Sequence, residues 1–354
     1  MSNIVLIKTS LVTRAQATTR VWDIGGWLDT WFAVIGEILN IGVWSRYFGS
    51  TGPFRGVEVS VEKTQTNPQA GKIEIIAADP SFDVGNVEIR SLDNGNFDHS
   101  NILLDTLYLL KRYLDPRFNF TIRILSPFPP GASVGTSAAV EIALGKAITG
   151  GELPLGELAK IGWRAETEIK GGQSGIQDHW GSDFSGGVGL YTVSSYPETT
   201  MRPVRISDAT KMALNDGLVT VCYGTHDSSE MHNRVISGLE GEGEHSPRLA
   251  RLRGLALQAE DALRRGYLTK FGRIGIENTE AQKALCPELV SQSAEFIIQT
   301  AKIHKALGWK VNGAGGEGGS ITVLMSTRSA TEEFVASVRR YAPSDWKIFE
   351  HRLP

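Results

Sequence analysis

Cysteine is almost missing from this chain: Cys222 and Cys286 are the two present among 354 residues. Two thiols make neither a disulfide framework nor a metal cluster, and their scarcity suits a reducing cytosol. A basic excess is missing too. Thirty-six Lys and Arg stand against 39 Asp and Glu, for a formal net charge of −3. That balance lends no electrostatic support to nucleic acid or an anionic membrane surface as the main partner. No apolar run has the purity of a membrane span. The stretch "WLDTWFAVIGEILNIGVW", residues 27–44, is interrupted by Asp29, Glu37 and Asn40, and carboxylates inside a bilayer are costly. A buried strand or helix of a soluble protein is the expectation there. The opening "MSNIVLIKTS" lacks a basic start followed by a long apolar core, so no export signal is expected and the expected location is the cytoplasm. A repeat of solenoid length is also absent.

What is present suffices for a substantial core. Hydrophobic residues make up 41% of the chain and charged residues 21%, which at this length predicts two domains. "FTIRILS", residues 120–126, alternates apolar and polar side chains as a strand does. "SAAVEIALGKAI", residues 137–148, reads as a helix that stops near Gly150 and Gly151. "NILLDTLYLLKRYL" and "LPLGELAKIGWRAETEIK" are further amphipathic helices, and "LVTVCYG" is another strand. A mostly helical stretch covers residues 228–307, and "GWKVNGAGGEGGSITVLMS" sets a glycine loop between two strands. Helices and strands mix without regular alternation, so the expected class is α+β. The acidic "LEGEGEHSPR", residues 239–248, reads as an exposed, solvated loop.

The stretch "PFPPGASVGTSAAVEIALGKAI" carries the first chemical signal. A helix start presents unpaired N–H groups and the positive end of its dipole, and small residues ahead of it let an anion reach the backbone. Gly131, Ala132, Gly135, Ala138 and Ala139 keep side chains away, while Thr136 and Ser137 add hydroxyls that can donate to phosphate or ligate magnesium. Lys146 sits inside the helix, so this is not a Walker loop. An ordinary capped helix packed closely on a neighbour fits the same letters.

Two later stretches weigh against that plainer reading. "SGIQDH" puts Asp178 in a glycine-bounded turn, with Glu166 near the end of a helix twelve positions earlier. A carboxylate beside a nucleotide loop can orient or deprotonate an alcohol, and another can hold magnesium. "NGAGGEGG", residues 312–319, matches GxGxxG in letters, but the β-branched "SITVLMS" follows where a dinucleotide fingerprint needs a helix. A tight loop joining two strands near a ligand fits better. His226, Asp227, Glu230 and His232 have no compact zinc spacing and read as a polar loop.

Together and in this order, these stretches resemble the GHMP kinase superfamily, which includes galactokinase, homoserine kinase and mevalonate kinase. "PPGASVGTSAA" resembles the family's phosphate loop, and "GAGGEGGS" its C-terminal glycine motif. "TTRVWDIGGWLDT", residues 18–30, and "GGQSGIQDHWGSDFSGG" are most similar to the heptose 7-phosphate kinase and fucose kinase branch. The resemblance implies a two-domain fold: a nucleotide-binding domain like ribosomal protein S5 domain 2 over residues 1–192, and a ferredoxin-like domain over residues 193–354. It implies Asp178 as the catalytic aspartate with Arg20 close to it. Pro130, Gly131, Ala132, Ser133, Val134, Gly135, Thr136, Ser137 and Ala138 would cradle the nucleotide. Gly26, Trp27, Asp29, Gln177, Asp178, Gly313 and Gly315 would meet the substrate, and Ser137 and Glu166 would ligate magnesium.

The chain departs from the family pattern in places. Ser133 stands where glycine is usual and Val134 where leucine is. Glu317 adds a carboxylate to the last glycine motif, and His226 stands where many sugar-phosphate members have arginine. The activity implied is transfer of a phosphoryl group from ATP, with Mg2+, to a hydroxyl of a sugar or sugar phosphate. The first expectation for the acceptor is the anomeric oxygen of a heptose 7-phosphate, with a fucose- or galactose-type free sugar as the alternative. A catalytically silent sugar- or nucleotide-binding regulator is the reading from another class. Lys170, Arg46 and Lys8 are candidate partners for a substrate phosphate. The expected partner is the small-molecule substrate, with no nucleic acid and no membrane, and a homodimer is left open.

Overall fold

The computed structural model describes residues 10–66, 71–77, 84–93, 97, 99, 101–182, 187–225, 228–239 and 242–354. Thirteen strands lie among them: β1 (Ser10–Ala17), β2 (Thr19–Ile24), β3 (Gly36–Tyr47), β4 (Val57–Gln65), β5 (Lys72–Ala77), β6 (Val84–Glu88), β7 (Phe118–Leu125), β8 (Val188–Ser195), β9 (Glu198–Pro203), β10 (Leu218–Gly224), β11 (Gly308–Val311), β12 (Gly319–Leu324) and β13 (Lys347–Arg352). The chain forms two compact units, each discontinuous in sequence. Of the described residues, the first holds those within 10–17, 57–126 and 140–172, and the second those within 18–56, 127–139 and 173–354. The class is α+β, as expected.

In the first unit a five-stranded sheet runs β1-β4-β7-β5-β6, antiparallel except for the β5–β7 pair. The alternation in β4 shows why: Val57, Val59 and Val61 are fully buried while Glu58, Ser60 and Glu62 face outward, the period of two that a half-buried strand imposes. Helix Ile102–Leu109 starts at Asn101, whose side chain accepts from the N–H of Leu103 at 2.9 Å, a cap for one of the orphan donors. Helix Thr136–Thr149 begins in the second unit and belongs to the first from Val140 on. A Cβ at Gly145 would lie 2.7 Å from Leu158, so a side chain there would not fit against helix Leu155–Arg164.

In the second unit the strand order is β11-β12-β10-β13-β3-β8-β9, with β2 added on β3. The segment β10–helices–β11–β12–helix–β13, with strand order β11-β12-β10-β13, is the ferredoxin-like arrangement the resemblance implied. Helices Gln292–Ile303 and Arg328–Tyr341 bury Ile297, Ala301, Phe334 and Val338 in one cluster with Val219, Val221 and Val323 of the sheet. Residues 27–44 resolve into a tight turn followed by β3, in keeping with a buried strand of a folded protein. No helix among the described residues is long and apolar enough to cross a membrane.

Candidate active site

The site of the second unit starts from an irregular strand. Residues three apart on a regular strand face opposite ways, yet Arg20 and Asp23 approach to 3.5 Å. The register between β2 and β3 shifts between Val21 and Ile24, and Trp22 has φ of 60°. Such a bulge re-phases the strand and re-aims its side chains. Arg20 is 3% exposed, and its Nε donates to Asp178 Oδ1 at 2.7 Å while Nη1 donates to the Ser133 carbonyl at 2.9 Å. Burial opposes its charge, but Asp178, Asp23 and Asp29 together raise its pKa well above the ordinary value. Asp178 lies in the short helix Gln177–Gly181, not in the turn expected from its glycine neighbours. Ser182 caps that helix's end by donating to the Asp178 carbonyl at 2.6 Å, which the polar "GSD" letters leave unannounced.

The loop before helix Thr136–Thr149 alternates left-handed positions at Gly131, Ser133 and Gly135, with φ of 74°, 60° and 69°. Alternating hands of this kind turn successive N–H groups toward one concavity, an anion nest. Ser133 therefore occupies a conformation in which glycine is the natural residue. Its hydroxyl and that of Thr136 are buried without a hydrogen-bond partner, two donors held ready for an oxygen-rich ligand. These features fit the phosphates of a nucleotide. The loop also sits against the charged pair, since a Cβ on Gly135 would come 3.3 Å from Arg20 Cγ and 3.8 Å from Asp178 Cγ. Pro130, Ala132, Val134, Ser137 and Ala138 complete the segment, with Ser137 in the helix's first turn.

Asp29 is 2% exposed and accepts from the N–H of Gln177 at 3.1 Å, while its carbonyl accepts from Ile176. These bonds join the turn carrying Asp29 to the segment carrying Asp178. Burial first, and then the charge of Asp178, push the Asp29 carboxyl up to about 7. Gly26 lies beside Asp23 and the Gln177 amide. The Trp27 ring is buried, edge-on to His232 at 5.0 Å, with its indole N–H unpartnered. On β8, the fully buried Tyr191 hydroxyl also lacks a partner, and burial raises its pKa, with Asp178 adding to the rise and Arg20 opposing it. Sequence reasoning missed Tyr191.

The C-terminal glycine loop brings Gly313 to Asp23, a residue the sequence reading passed over. Gly313 donates its N–H to both Asp23 oxygens at 3.2 Å, and a Cβ there would meet the Ser133 backbone at 3.1 Å. Gly315 packs its Cα against the Leu289 carbonyl, and Glu317 is exposed. A buried polar rail supports the loop of residues 131–135. His351 bridges Ser45 at 2.9 Å and Thr220 at 2.7 Å, and Thr220 meets Thr322 at 2.7 Å. Asn312 bonds Thr322 and Ser320, whose hydroxyl donates to the Ala132 carbonyl at 2.7 Å. Burial pushes His351 down to about 3, so the rail runs through a neutral ring. Every position of "GWKV" and "GSITVL" is buried, so a polar residue there, Lys310 or Ser320, needs a partner.

Glu166 belongs to the first unit. Helix Leu155–Arg164 passes into a π turn at Ala165–Ile169, and Glu166 rides on it, a local widening common at functional positions. Carboxylate oxygens of Glu166 and Glu141 lie within 4.8 Å of each other. Arg46 pairs with Glu350 at 2.9 Å, and Lys170 caps the π turn through its backbone. Lys8, His226 and Asp227 lie outside the described residues.

Residues 101–186 match the family GHMP kinases N terminal domain. No curated protein matches the chain by sequence. Among solved structures, the chain is similar to a D-glycero-D-manno-heptose 1-phosphate kinase from Bacteriodes thetaiotaomicron, at 20% identity over 97% of each chain with a TM-score of 0.66. It is similar to the Methanococcus jannaschii mevalonate kinase at 18% identity, covering 98% of this chain and 99% of that one, TM-score 0.68. A Lactococcus lactis galactokinase complexed with galactose aligns at 14% identity over 97% and 93%, TM-score 0.65.

Proposed function

For a chain that has the GHMP kinase fold and carries that family's N-terminal domain, we propose that it transfers the γ-phosphoryl group of ATP to a hydroxyl of a sugar or sugar phosphate. The observation that carries this reading is the contact of three parts in one unit: an anion-nest loop, Asp178 and Arg20. Backbone N–H groups of residues 131–137 and the hydroxyls of Ser133 and Thr136 bind phosphate oxygens. Asp178 accepts the proton of the acceptor hydroxyl, and Arg20 orients that carboxylate through its Nε bond. Asp29 accepts hydrogen bonds from sugar hydroxyls, and Trp27 lies beside them. Ser137 would ligate the magnesium of the nucleotide at the loop; Glu166, the other ligand the resemblance implied, lies in the first unit. Bound Mg-ATP supplies the phosphoryl group and neutralises charge on its phosphates.

For the acceptor, the anomeric oxygen of D-glycero-D-manno-heptose 7-phosphate is the reading preferred, with support from the segments around Trp27 and Gln177 and from likeness to the heptose kinase. Fucose or galactose is the second. The regulator reading is weakened by Glu317, which is exposed and so leaves the loop free of an inward carboxylate. A coupled ADP-release assay over fucose, galactose, mannose and heptose 7-phosphate tests the proposal. ADP release dependent on one of them supports it. Sugar binding by calorimetry without turnover of any would replace it with the regulator.

A further inference from the structure

Lys310 lies in the middle of β11 with no exposed surface, an unusual place for an ammonium group unless it is paired. Its Nζ donates to Gln282 Oε1 at 2.9 Å and to the Val311 carbonyl, and lies 3.4 Å from Asp23 Oδ1. Gln282 in turn donates to the Gly313 carbonyl at 3.0 Å and accepts from Asn278 at 3.3 Å. Gly313 is thus gripped at its N–H by Asp23 and at its carbonyl by Gln282. Both grips meet at Lys310.

Asp23 is needed for that grip, but it places a buried carboxylate beside Arg20. The guanidinium then has two carboxylates in reach, Asp178 at 2.7 Å and Asp23 at 3.5 Å. Among the described residues, the ion pairs of Asp23 are those with Arg20 and Lys310. Nearly equal distances to the two cations, 3.5 and 3.4 Å, mean that Asp23 is shared. A carboxylate shared with a second cation attracts the first less strongly.

The geometry points to Lys310 as a positioning residue: by sharing the Asp23 carboxylate, it leaves the short bond of Arg20 to Asp178. The inference rests on the phosphoryl-transfer reading for its effect on rate, and on geometry alone for the placement of Arg20. Lys310 acts through Asp23 and touches neither substrate nor nucleotide. Without it, the guanidinium turns toward Asp23, and both Asp178 and the Ser133 carbonyl lose their donor.

The test is Lys310→Met alone and combined with Asp23→Asn, in the full chain, with kcat and both KM values taken on folded protein verified by circular dichroism. Lys310→Met is expected to lower kcat by roughly 30-fold with KM values within about threefold, the signature of a group that orients chemistry and not binding. Adding Asp23→Asn removes the competing carboxylate and is expected to return kcat to within about fivefold of the parent. A Lys310→Met protein with parental kcat, or a double variant as slow as the single, overturns the inference. Should the Met variant not fold, Lys310→Gln keeps a donor for Gln282 and Val311 without the charge. A crystal structure of the folded single variant reads the same point without turnover. Arg20 drawn to Asp23 supports the role, and Arg20 still 2.7 Å from Asp178 overturns it. If no acceptor is phosphorylated by the parent, the kinase reading fails while this structural outcome still decides the role of Lys310.

Discussion

Arg20 Nε and Asp178 Oδ1 lie 2.7 Å apart, and the arginine is 3% exposed while the aspartate keeps 27% of its side-chain surface open. The bond is charge-assisted and the carboxylate still faces outward, so one oxygen is anchored while the group stays accessible. Replacing Asp178 by Asn keeps the shape and removes the proton acceptor. We expect Asp178→Asn to lower kcat by about a thousandfold, within the range for a general base, with ATP affinity by calorimetry changed less than about threefold. An unimpaired Asn variant would remove Asp178 from the chemistry.

The same contact explains why residue 135 is small. Gly135 has φ of 69°, and a Cβ there would press on Arg20 Cγ at 3.3 Å. Gly135→Ala adds left-handed strain of about 1–2 kcal/mol and moves the arginine. Its chemical denaturation midpoint should fall, with kcat reduced at least about tenfold, since small misplacements are costly in oriented sites. An Ala variant with the parent's midpoint and rate would show that the loop and the charged pair move independently.

Much of this was legible in the letters, for a physical reason. Small residues before a helical run, and a glycine loop between β-branched runs, are local patterns, and local patterns survive without an alignment. Helix Thr136–Thr149 and strands β10, β11 and β12 appear where the periodicity puts them. The role of Asp23 was not legible. A strand of period two places it on the opposite face from Arg20, and only the bulge at Trp22 brings them together. Lys310 and His351 escaped for a related reason. Their partners, Asp23 and Thr220, lie 287 and 131 positions away in sequence. The glycines around Asp178 read as a turn, but the five residues Gln177–Gly181 close into a short helix.

Ser320 is the last link between the buried rail and the loop before helix Thr136–Thr149. Its hydroxyl satisfies the Ala132 carbonyl at 2.7 Å, and both residues are fully buried. Ser320→Ala leaves that carbonyl unpaired, at a cost of about 1–3 kcal/mol. The loop should then hold nucleotide less well, with KM for ATP raised roughly tenfold and acceptor KM unchanged to within about twofold. Ser320→Thr keeps the hydroxyl and should restore ATP binding. Equal losses for ATP and acceptor in the Ala variant would point to general loosening instead.

Asp29 makes the strongest pH prediction. Its carboxyl is raised from an ordinary 3.8 to about 7, by burial first and then by the nearby charge of Asp178. From about pH 4 to about pH 7 the folded chain keeps a proton that the unfolded chain has released, so the folded state binds more protons and stability falls as pH rises. Below that window both states are protonated and nothing is lost; above it both are ionised and the full cost is present. Three pK steps correspond to roughly 4 kcal/mol at 1.36 kcal/mol each. Asn at this position still accepts from the Gln177 N–H without ionising. Asp29→Asn should therefore melt well above the parent at pH 8 and close to it at pH 4.5, while losing acceptor affinity. Melting curves that stay parallel across that range would mean that Asp29 is ionised throughout, and the buried, proton-retaining carboxyl would have to be abandoned.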